Sequence, residues 1–437
     1  MSYHLSRYVI SFAGEGDKTI LHNTYNGKVA QLPTALFEKA NALNDYAALQ
    51  TLFHPLGQAG QSILDDYFVA EDDDIEALKK LLMRNKYSTD TLAITIMTTL
   101  NCNLACVYCY QQGIVDPSLH LSEKTALMFG NWVISKIDEV SPRKIVFHFY
   151  GGEPLMNLSA LDKVMPRIIN YADERHIDFS SYITTNGILL NKKNLARLKK
   201  WKIISAQISI DGPERIHDMR RPFKDGKGSY HIIMENIRSA LQEKLQIMLR
   251  LNLDRQNYLY AEQLFTELHD MKLPNTDLLH VKIETVSPIM NPSVHCNQYT
   301  FTSDQELALL CGLWKKQVAN GFKIHSVMPV DSACENMRKH AYTISSDGRI
   351  YPCPGFIGIE GFEVGNIQSG LDTDRLEHLL SINPWENCLE CTYAPVCQGG
   401  CRMCAYVTSK KCDALYCRKS FYEAIYPEFI KCKYGIR

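Results

Sequence analysis

The sequence predicts an α/β protein in which six strand–helix units form an open, partial barrel between two smaller parts. Between about residues 91 and 286, short apolar runs alternate with longer amphipathic ones, a pattern typical of parallel strands covered by helices. Segments rich in glycine and polar residues follow several of these runs. Cysteines concentrate in a loop at 102–109 and again beyond residue 330. These observations divide the chain into residues 1–90, 91–325 and 326–437.

The composition restricts the class of protein. A chain of 437 residues is long enough for two or three domains with substantial cores. Its formal charge of −1 gives no overall field that would recruit nucleic acid or an anionic membrane. The 15 cysteines, with no export signal in the sequence, favour metal ligation in a reducing compartment over disulfides. We therefore expect a cytoplasmic protein with neither a nucleic-acid nor a membrane partner.

Residues 1–90 are predicted to form a small domain of strands and short helices. Strand-like runs at 7–12 and 19–23 are separated by a turn-rich segment, and Asn26-Gly27 is typical of a tight hairpin turn. Helical patterns follow at 35–43, 46–56 and 75–84.

The central part is predicted from its alternating pattern. The expected strands are 92–97, 144–149, 179–183, 204–210, 247–253 and 281–286. The helices between them are expected at 122–137, 158–171, 192–200, 230–243 and 259–271. Six parallel strands make three-quarters of an eight-stranded barrel, and such barrels gather their active sites at the carboxyl ends of the strands.

One short loop after the first predicted strand carries the strongest chemical signal. Cys102, Cys106 and Cys109 stand in C-x3-C-x2-C spacing. Three such thiolates can hold three irons of a cubane cluster and leave the fourth iron without a protein ligand. Zinc bound by three thiolates and a water is the alternative.

With Tyr108 just before its last cysteine, this loop resembles the signature of radical S-adenosylmethionine (SAM) enzymes. The resemblance implies catalytic roles for Cys102, Cys106 and Cys109. Their [4Fe-4S] cluster would chelate the amino and carboxylate groups of SAM, whose reductive cleavage gives a 5′-deoxyadenosyl radical. A non-enzymatic iron–sulfur redox carrier is the alternative, but it would leave the polar strand ends without a purpose.

Those strand ends resemble the SAM-binding segments of the same family. Gly151-Gly152-Glu153 follows the second strand, where the family holds the SAM amine. Later strand ends resemble segments around the ribose and carboxylate. Arg220 and Arg221 suit a carboxylate or belong to a solvated basic loop, and Arg250, Asn252 and Glu284 alternate along the last two strands. The expected cofactor-binding residues are Tyr108, Gly151, Gly152, Glu153, Thr185, Asn186, Ser209, Asp211 and Arg220.

The second group of cysteines resembles the SPASM extension of peptide-modifying radical SAM enzymes. It matches in the spacing Cys334-x13-Gly348-x4-Cys353 and in the C-x2-C-x5-C-x3-C run from Cys388 to Cys401. The resemblance implies two auxiliary [4Fe-4S] clusters, three clusters in all, whereas a zinc ribbon is the alternative. The distal ligands would be Cys388, Cys391, Cys397 and Cys417, and the proximal ones Cys334, Cys353 and Cys401.

Two ligands stay open at this point. Cys412 is a rival of Cys417 in the distal set. The fourth proximal ligand is Cys311, Cys404 or a substrate thiolate.

The fold implied by these resemblances is a partial (β/α)6 radical SAM barrel with a C-terminal cysteine-rich SPASM domain. Residues 1–90 resemble the winged-helix-like domains that recognise a leader peptide by strand addition, although a capping subdomain is an alternative. We expect a maturase that forms a thioether or carbon–carbon crosslink in a ribosomally synthesised peptide. Its partners would be a precursor peptide with a leader sequence and an electron donor such as flavodoxin or ferredoxin.

Other reactions compete with this one. Formylglycine formation, as in anaerobic sulfatase maturases, is disfavoured because those enzymes place an Asp where this chain has Pro354. Epimerisation and backbone excision remain alternatives.

Overall fold

The structure is a computed structural model. It describes residues 2–70, 73–113, 115–273, 277–286, 304–324, 334 and 337–436. The predicted boundary between the second and third parts, at residues 325 and 326, lies outside these residues.

The N-terminal part combines two small antiparallel sheets with four helices. Its strands are β1 (Tyr3–Leu5), β2 (Val9–Ala13), β3 (Lys18–Asn23), β4 (Val29–Pro33) and β5 (Phe68–Ala70). Its helices are α1 (Thr34–Asn41), α2 (Tyr46–Phe53), α3 (Gln58–Tyr67) and α4 (Asp73–Tyr87). Strands β2, β3 and β4 form one sheet, and β1 pairs with β5. Gly27, with φ of 72°, lies in the predicted hairpin turn.

The central part contains the six predicted strands. They are β6 (Thr91–Met97), β7 (Lys144–Tyr150), β8 (Asp178–Thr185), β9 (Ile203–Ser209), β10 (Gln246–Leu253) and β11 (Leu279–Thr285). All neighbours in this series pair in parallel. The helices are α5 (Glu123–Val140), α6 (Val164–Glu174), α7 (Lys192–Lys200), α8 (Glu214–Arg220), α9 (Tyr230–Gln242), α10 (Ala261–Asp270) and α11 (Asp304–Ala319).

The helix predicted at 158–171 begins later than expected. A 3-10 turn covers Pro154–Leu161, and α6 begins only at Val164. Asn157 has a non-helical φ of −137°. Its side-chain amide donates to the carbonyl oxygens of Thr98 and Leu121 at 2.7 and 2.9 Å. This bridge to the preceding βα unit holds the backbone out of the helical conformation.

The C-terminal part continues the central sheet. Its strands are β12 (Ala341–Ile344), β13 (Arg349–Tyr351), β14 (Gly365–Asn366) and β15 (Gly370–Leu371). Its helices are α12 (Thr373–Ser381), α13 (Ala394–Cys397), α14 (Arg402–Ser409) and α15 (Lys419–Tyr434). β12 pairs in parallel with β6, so the sheet order is β11-β10-β9-β8-β7-β6-β12-β13-β14-β15.

The N-terminal part is attached to the cysteine-rich part by hydrogen bonds. The hydroxyl of Tyr8 donates to the carbonyl of Leu389 at 2.8 Å, and that of Thr24 donates to Thr392 at 2.6 Å. The buried Lys86 ammonium donates to the carbonyl of Leu380 at 2.7 Å. No helix in the part of the chain that the structure describes is both long and apolar enough to cross a membrane.

Candidate active site

A cavity of about 1130 Å³ opens at the carboxyl ends of the parallel strands. One wall holds predicted cofactor residues: Cys102, Cys106, Tyr108, Cys109, Gly151, Gly152, Thr185, Asn186 and Ser209. The C-terminal part supplies further lining residues, including Cys334, Cys397, Cys401, Cys404 and Cys417. Glu153, Asp211 and Arg220, described residues that the sequence assigned to cofactor binding, lie outside the lining. The cavity therefore joins the first cysteine loop to the second group of cysteines.

The cysteine loop is held against the end of α8 and the residues that follow it. The amide of Ala105 donates to the carbonyl of Pro222 at 2.8 Å, and that of Val107 to Arg220 at 3.0 Å. Burial raises the pKa of Cys102, and it raises that of Cys106 to about 12. A bound cation favours thiolates that burial alone would keep protonated, so this environment fits thiols meant for a metal cluster.

Among the described residues, no group of three or more His, Cys, Asp or Glu side chains is placed to hold a metal ion.

Two glycines bring the end of β7 against the start of the cysteine loop. A Cβ built at Gly151 would lie 2.3 Å from the carbonyl oxygen of Thr99, and one at Gly152 would lie 2.1 Å from that of Asn101. The Gly152 amide donates to Thr99 at 3.0 Å. The glycines are therefore required by a close approach of backbone to backbone, beside their position in the cavity wall.

Glu153 is fully buried and directed at protein donors. Its carboxylate accepts hydrogen bonds from the Thr185 hydroxyl at 2.7 Å and from the backbone amides of Asn186 at 2.7 Å and Leu155 at 3.0 Å. Burial raises its pKa, while these three hydrogen bonds oppose that rise. The side chain of Asn186 donates to Asn103 at 2.7 Å. Glu153 thus holds the end of β8, and Asn186 joins that strand end to the cysteine loop.

Tyr108 is the centre of a polar network in the cavity wall. Its hydroxyl donates to the carboxylate of Asp211 at 2.9 Å. It accepts from the Arg221 guanidinium at 2.7 Å and from the Asn252 amide at 3.1 Å. The Arg220 guanidinium lies 5.0 Å from the centre of the Tyr108 ring. Tyr108 therefore fixes the guanidinium that reaches the cavity.

The two neighbouring arginines have different surroundings. Arg220 forms buried ion pairs with Asp211 at 3.3 Å and with Asp254 at 2.7 Å. Arg221 lines the cavity, and its buried Nε has no hydrogen-bond partner among the described residues; the same holds for Nε of Arg250. Two guanidinium groups that face a cavity, each with a buried Nε donor to spare, fit an anionic ligand such as the SAM carboxylate.

Several lining residues were weakly signalled by the sequence. Arg250, Asn252 and Glu284, which alternate on the last two strands, all line the cavity. Gln207 also lines it and was missed, although it lies two residues before Ser209 on β9 and so shares its face.

The second group of cysteines separates into two sets. The pKa of Cys353 is raised well above its usual range, first by burial and then by the neighbouring thiols Cys334 and Cys401. The predicted proximal ligands are therefore adjacent to one another.

The distal set is also assembled. Burial raises the pKa of Cys388 to about 11, and Cys397, Cys391 and Cys417 contribute as neighbours. Burial and then the nearby Asp413 carboxylate raise the pKa of Cys412. Cys417, and not its rival Cys412, therefore lies with the other distal thiols.

Comparison with known proteins agrees with this geometry. A profile described as "Radical SAM superfamily" matches residues 96–257, from the end of β6 to beyond β10. A cysteine-type anaerobic sulfatase-maturating enzyme of Clostridium novyi is 24% identical over 335 residues, which cover 69% of this chain and 85% of the relative.

Two solved structures share the fold. The anSMEcpe structure with bound AdoMet and Kp18Cys peptide matches with a TM-score of 0.62 and 20% identity, over 79% of this chain and 100% of that one. SuiB of Streptococcus suis, bound to precursor peptide SuiA, matches with a TM-score of 0.53 and 14% identity, over 96% of this chain and 100% of that one.

Proposed function

We propose that this chain matures a ribosomally synthesised peptide, because the radical SAM profile matches residues 96–257 and the fold is shared with two structures that contain bound peptides. The reaction is hydrogen abstraction from a residue of the peptide, followed by closure of a thioether or carbon–carbon crosslink. The observation that carries this proposal is the cavity that joins the loop of Cys102, Cys106 and Cys109 to the second group of cysteines.

The residues around the cavity have definable tasks. Cys102, Cys106 and Cys109 hold a [4Fe-4S] cluster, and Gly151, Gly152, Thr185, Asn186, Ser209 and Arg221 contact SAM. When bound, the cluster and SAM supply the reductive bond cleavage and the hydrogen-abstracting radical. The Arg221 guanidinium binds the SAM carboxylate and is fixed by Tyr108. The cavity walls exclude water and position the peptide.

The C-terminal thiols hold two auxiliary [4Fe-4S] clusters in a SPASM arrangement. Cys388, Cys391, Cys397 and Cys417 bind the distal cluster, and Cys334, Cys353 and Cys401 belong to the proximal one. Their mutual proximity supports this division. A reduced carrier protein such as flavodoxin or ferredoxin supplies the electrons.

The N-terminal part is proposed to recognise the leader of the precursor peptide. Within the described residues, β2 and β4 each pair only with β3, so each leaves one edge of the three-stranded sheet unpaired. An extended peptide can add to such an edge through main-chain hydrogen bonds. The SuiB structure, which contains a precursor peptide, supports a peptide partner.

A second candidate is formylglycine formation in a sulfatase. It is favoured by the likeness to the Clostridium novyi sulfatase maturase over 69% of this chain. It is opposed by Pro354, which follows Cys353 and has no group that could transfer a proton.

Mass analysis of the peptide product tests the proposal. The enzyme is incubated without oxygen in deuterated water with SAM, a reductant and a peptide encoded beside its gene. Loss of two hydrogens with no change of heavy atoms, located by fragmentation to two joined residues, supports a crosslink, whereas the same loss confined to one serine means formylglycine formation. Replacement of a cysteine sulfur by oxygen means formylglycine formation, and uptake of one deuterium at unchanged composition means epimerisation. Either of the last two results contradicts the crosslink.

Two cysteine variants separate the role of the SAM-binding cluster from that of the auxiliary clusters. We expect Cys106→Ala to abolish SAM cleavage to deoxyadenosine, because it removes a ligand of the SAM-binding cluster. Cys391→Ala should retain some cleavage but yield less peptide product. Intact product from the Cys106→Ala enzyme would overturn the radical mechanism, and absence of deoxyadenosine from the wild-type enzyme would favour a redox carrier.

A further inference from the structure

The sequence spacing assigns three cysteines to the proximal set, Cys334, Cys353 and Cys401. The first turn of α14 places another thiol beside them. Cys401 is the N-cap residue of α14, which runs from Arg402 to Ser409. Cys404 follows three residues later, and residues three apart lie on the same face of a helix. Both cysteines line the cavity together with Cys334.

The turn that carries Cys353 packs directly on this helix turn. A Cβ built at Gly355 would lie 3.6 Å from the sulfur of Cys353 and 3.5 Å from Cβ of Met403. Met403 stands between Cys401 and Cys404 in the sequence. The backbone that follows β13 is therefore in contact with the first turn of α14, which brings Cys353 close to both thiols.

The side-chain contacts agree with this packing. The Cys404 thiol is hydrogen-bonded to the sulfur of Cys401, which also accepts from the backbone amides of Cys404 and Met403. Cys353 is among the neighbours of Cys404. Amides at a helix N-terminus stabilise negative charge, as an anionic cluster would require.

The two other candidate cysteines have different neighbours. Cys311 is buried on α11, where its neighbours include Glu428 and Cys432 of α15. Cys412 packs against the cluster of Phe356 and Met403 that Cys353 also contacts, but the charged groups near its thiol are Asp413 and Arg402.

We propose that Cys404 is the fourth protein ligand of the proximal auxiliary cluster, with Cys334, Cys353 and Cys401. This inference rests on the proposed function, since it assumes that an auxiliary cluster occupies the proximal site. Four cysteine ligands close the cluster, so no iron of it is left for a substrate thiolate. The cluster then transfers electrons and does not bind the peptide.

The test compares Cys404→Ala and Cys404→Ser with the matched variants Cys412→Ala and Cys311→Ala. Each protein is reconstituted without oxygen and saturated with SAM, which occupies the open iron of the first cluster. Iron and sulfide content, Mössbauer spectra and electron paramagnetic resonance are recorded with and without added 2-mercaptoethanol. SAM cleavage to deoxyadenosine reports whether the barrel of each variant has folded.

We expect the wild-type protein to bind about twelve irons, as three [4Fe-4S] clusters require, and its auxiliary signals not to respond to the added thiol. The Cys404 variants should lose between about one and four irons, or show an auxiliary signal that shifts with the thiol. Both matched variants should behave as wild type.

Two results would overturn the inference, and they differ from failure of the proposed function. Cys404 variants with wild-type iron content and thiol-insensitive spectra would exclude ligation by Cys404. A wild-type auxiliary cluster that already binds 2-mercaptoethanol would mean an open iron. Failure of the proposed function instead appears as a wild-type protein that binds only about four irons, before any variant is considered.

Discussion

Arg220 and Arg221 are adjacent in the sequence and of the same residue type, but their surroundings assign them different tasks. Arg220 is neutralised by the buried carboxylates of Asp211 and Asp254. Arg221 is held by the Tyr108 hydroxyl and faces the cavity. A planar guanidinium can bind a carboxylate through two parallel hydrogen bonds while Tyr108 holds its third nitrogen.

We expect Arg221→Lys to weaken SAM binding about tenfold, because a lysine ammonium cannot form the paired hydrogen bonds that a guanidinium makes with a carboxylate. Equilibrium binding of SAM to the reconstituted enzyme measures the effect. Arg215→Lys, at an exposed position of α8, is the matched control and should bind as wild type. An unchanged affinity in Arg221→Lys would mean that this side chain does not contact SAM.

At this scale the sequence predicted residue types better than orientations. The cysteine spacing predicted thiols that the structure brings together. Which of Arg220 and Arg221 faces the cavity could not be predicted, because Asp254, the partner of Arg220, is distant in the chain and is brought beside it only by folding. The direction of Glu153 depended in the same way on Thr185 and Asn186, at the end of the next strand.

At the level of elements, the end of β7 and the start of the cysteine loop behave as one unit. Their backbones are in contact at Gly151 and Gly152, where any side chain would collide with carbonyl oxygens. Backbone atoms cannot turn aside as a flexible side chain can. The position of the three thiols therefore depends on the absence of a Cβ on the neighbouring strand end.

Gly152→Ala is expected to displace the cysteine loop, because its Cβ would lie 2.1 Å from the Asn101 carbonyl oxygen. The variant should incorporate less iron at the SAM-binding cluster and unfold at a lower temperature, which iron analysis and thermal unfolding measure. Gly312→Ala on α11 is the control, since no described atom lies within 4 Å of a Cβ built there. Normal iron content in Gly152→Ala would show that the loop adjusts freely.

The alternation of short apolar runs with longer amphipathic ones predicted every barrel strand to within two residues, because every second side chain is buried along strands such as β7 and β8. Short or interrupted helices were missed. Helix α3 contains Gly60, which weakens its helical pattern. This glycine lets the helix approach Phe53 closely, since a Cβ at Gly60 would lie 2.1 Å from the Phe53 carbonyl oxygen. Helix α8 has only seven residues, too few to show a period.

For the whole molecule, buried histidines couple stability to pH. Burial, assisted by Lys433, lowers the pKa of His22 to about 4. Burial and the nearby charges of Arg221 and Arg220 lower that of His217 well below its usual value. In the unfolded chain both titrate near pH 6.5. The unfolded state therefore binds protons first as the pH falls, and stability declines below about pH 6.5.

The free energy of unfolding should thus fall between pH 7.5 and pH 5.5, by about 1.4 kcal/mol for each histidine that stays neutral in the fold. Urea unfolding of the reconstituted protein at the two pH values measures the difference. His22→Gln should reduce this pH-dependent loss of stability by the contribution of one histidine. If His22→Gln loses as much stability on acidification as wild type, His22 does not contribute.

The pairing of β12 with β6 has a consequence for folding during synthesis. During synthesis, the first barrel strand leaves the ribosome long before β12, which lies in the last quarter of the chain. Until then one edge of β6 has no strand beside it, and an unpaired edge can join another nascent chain. The barrel of this protein should therefore depend on chaperones while it is being translated, and a chain truncated before β12 should aggregate.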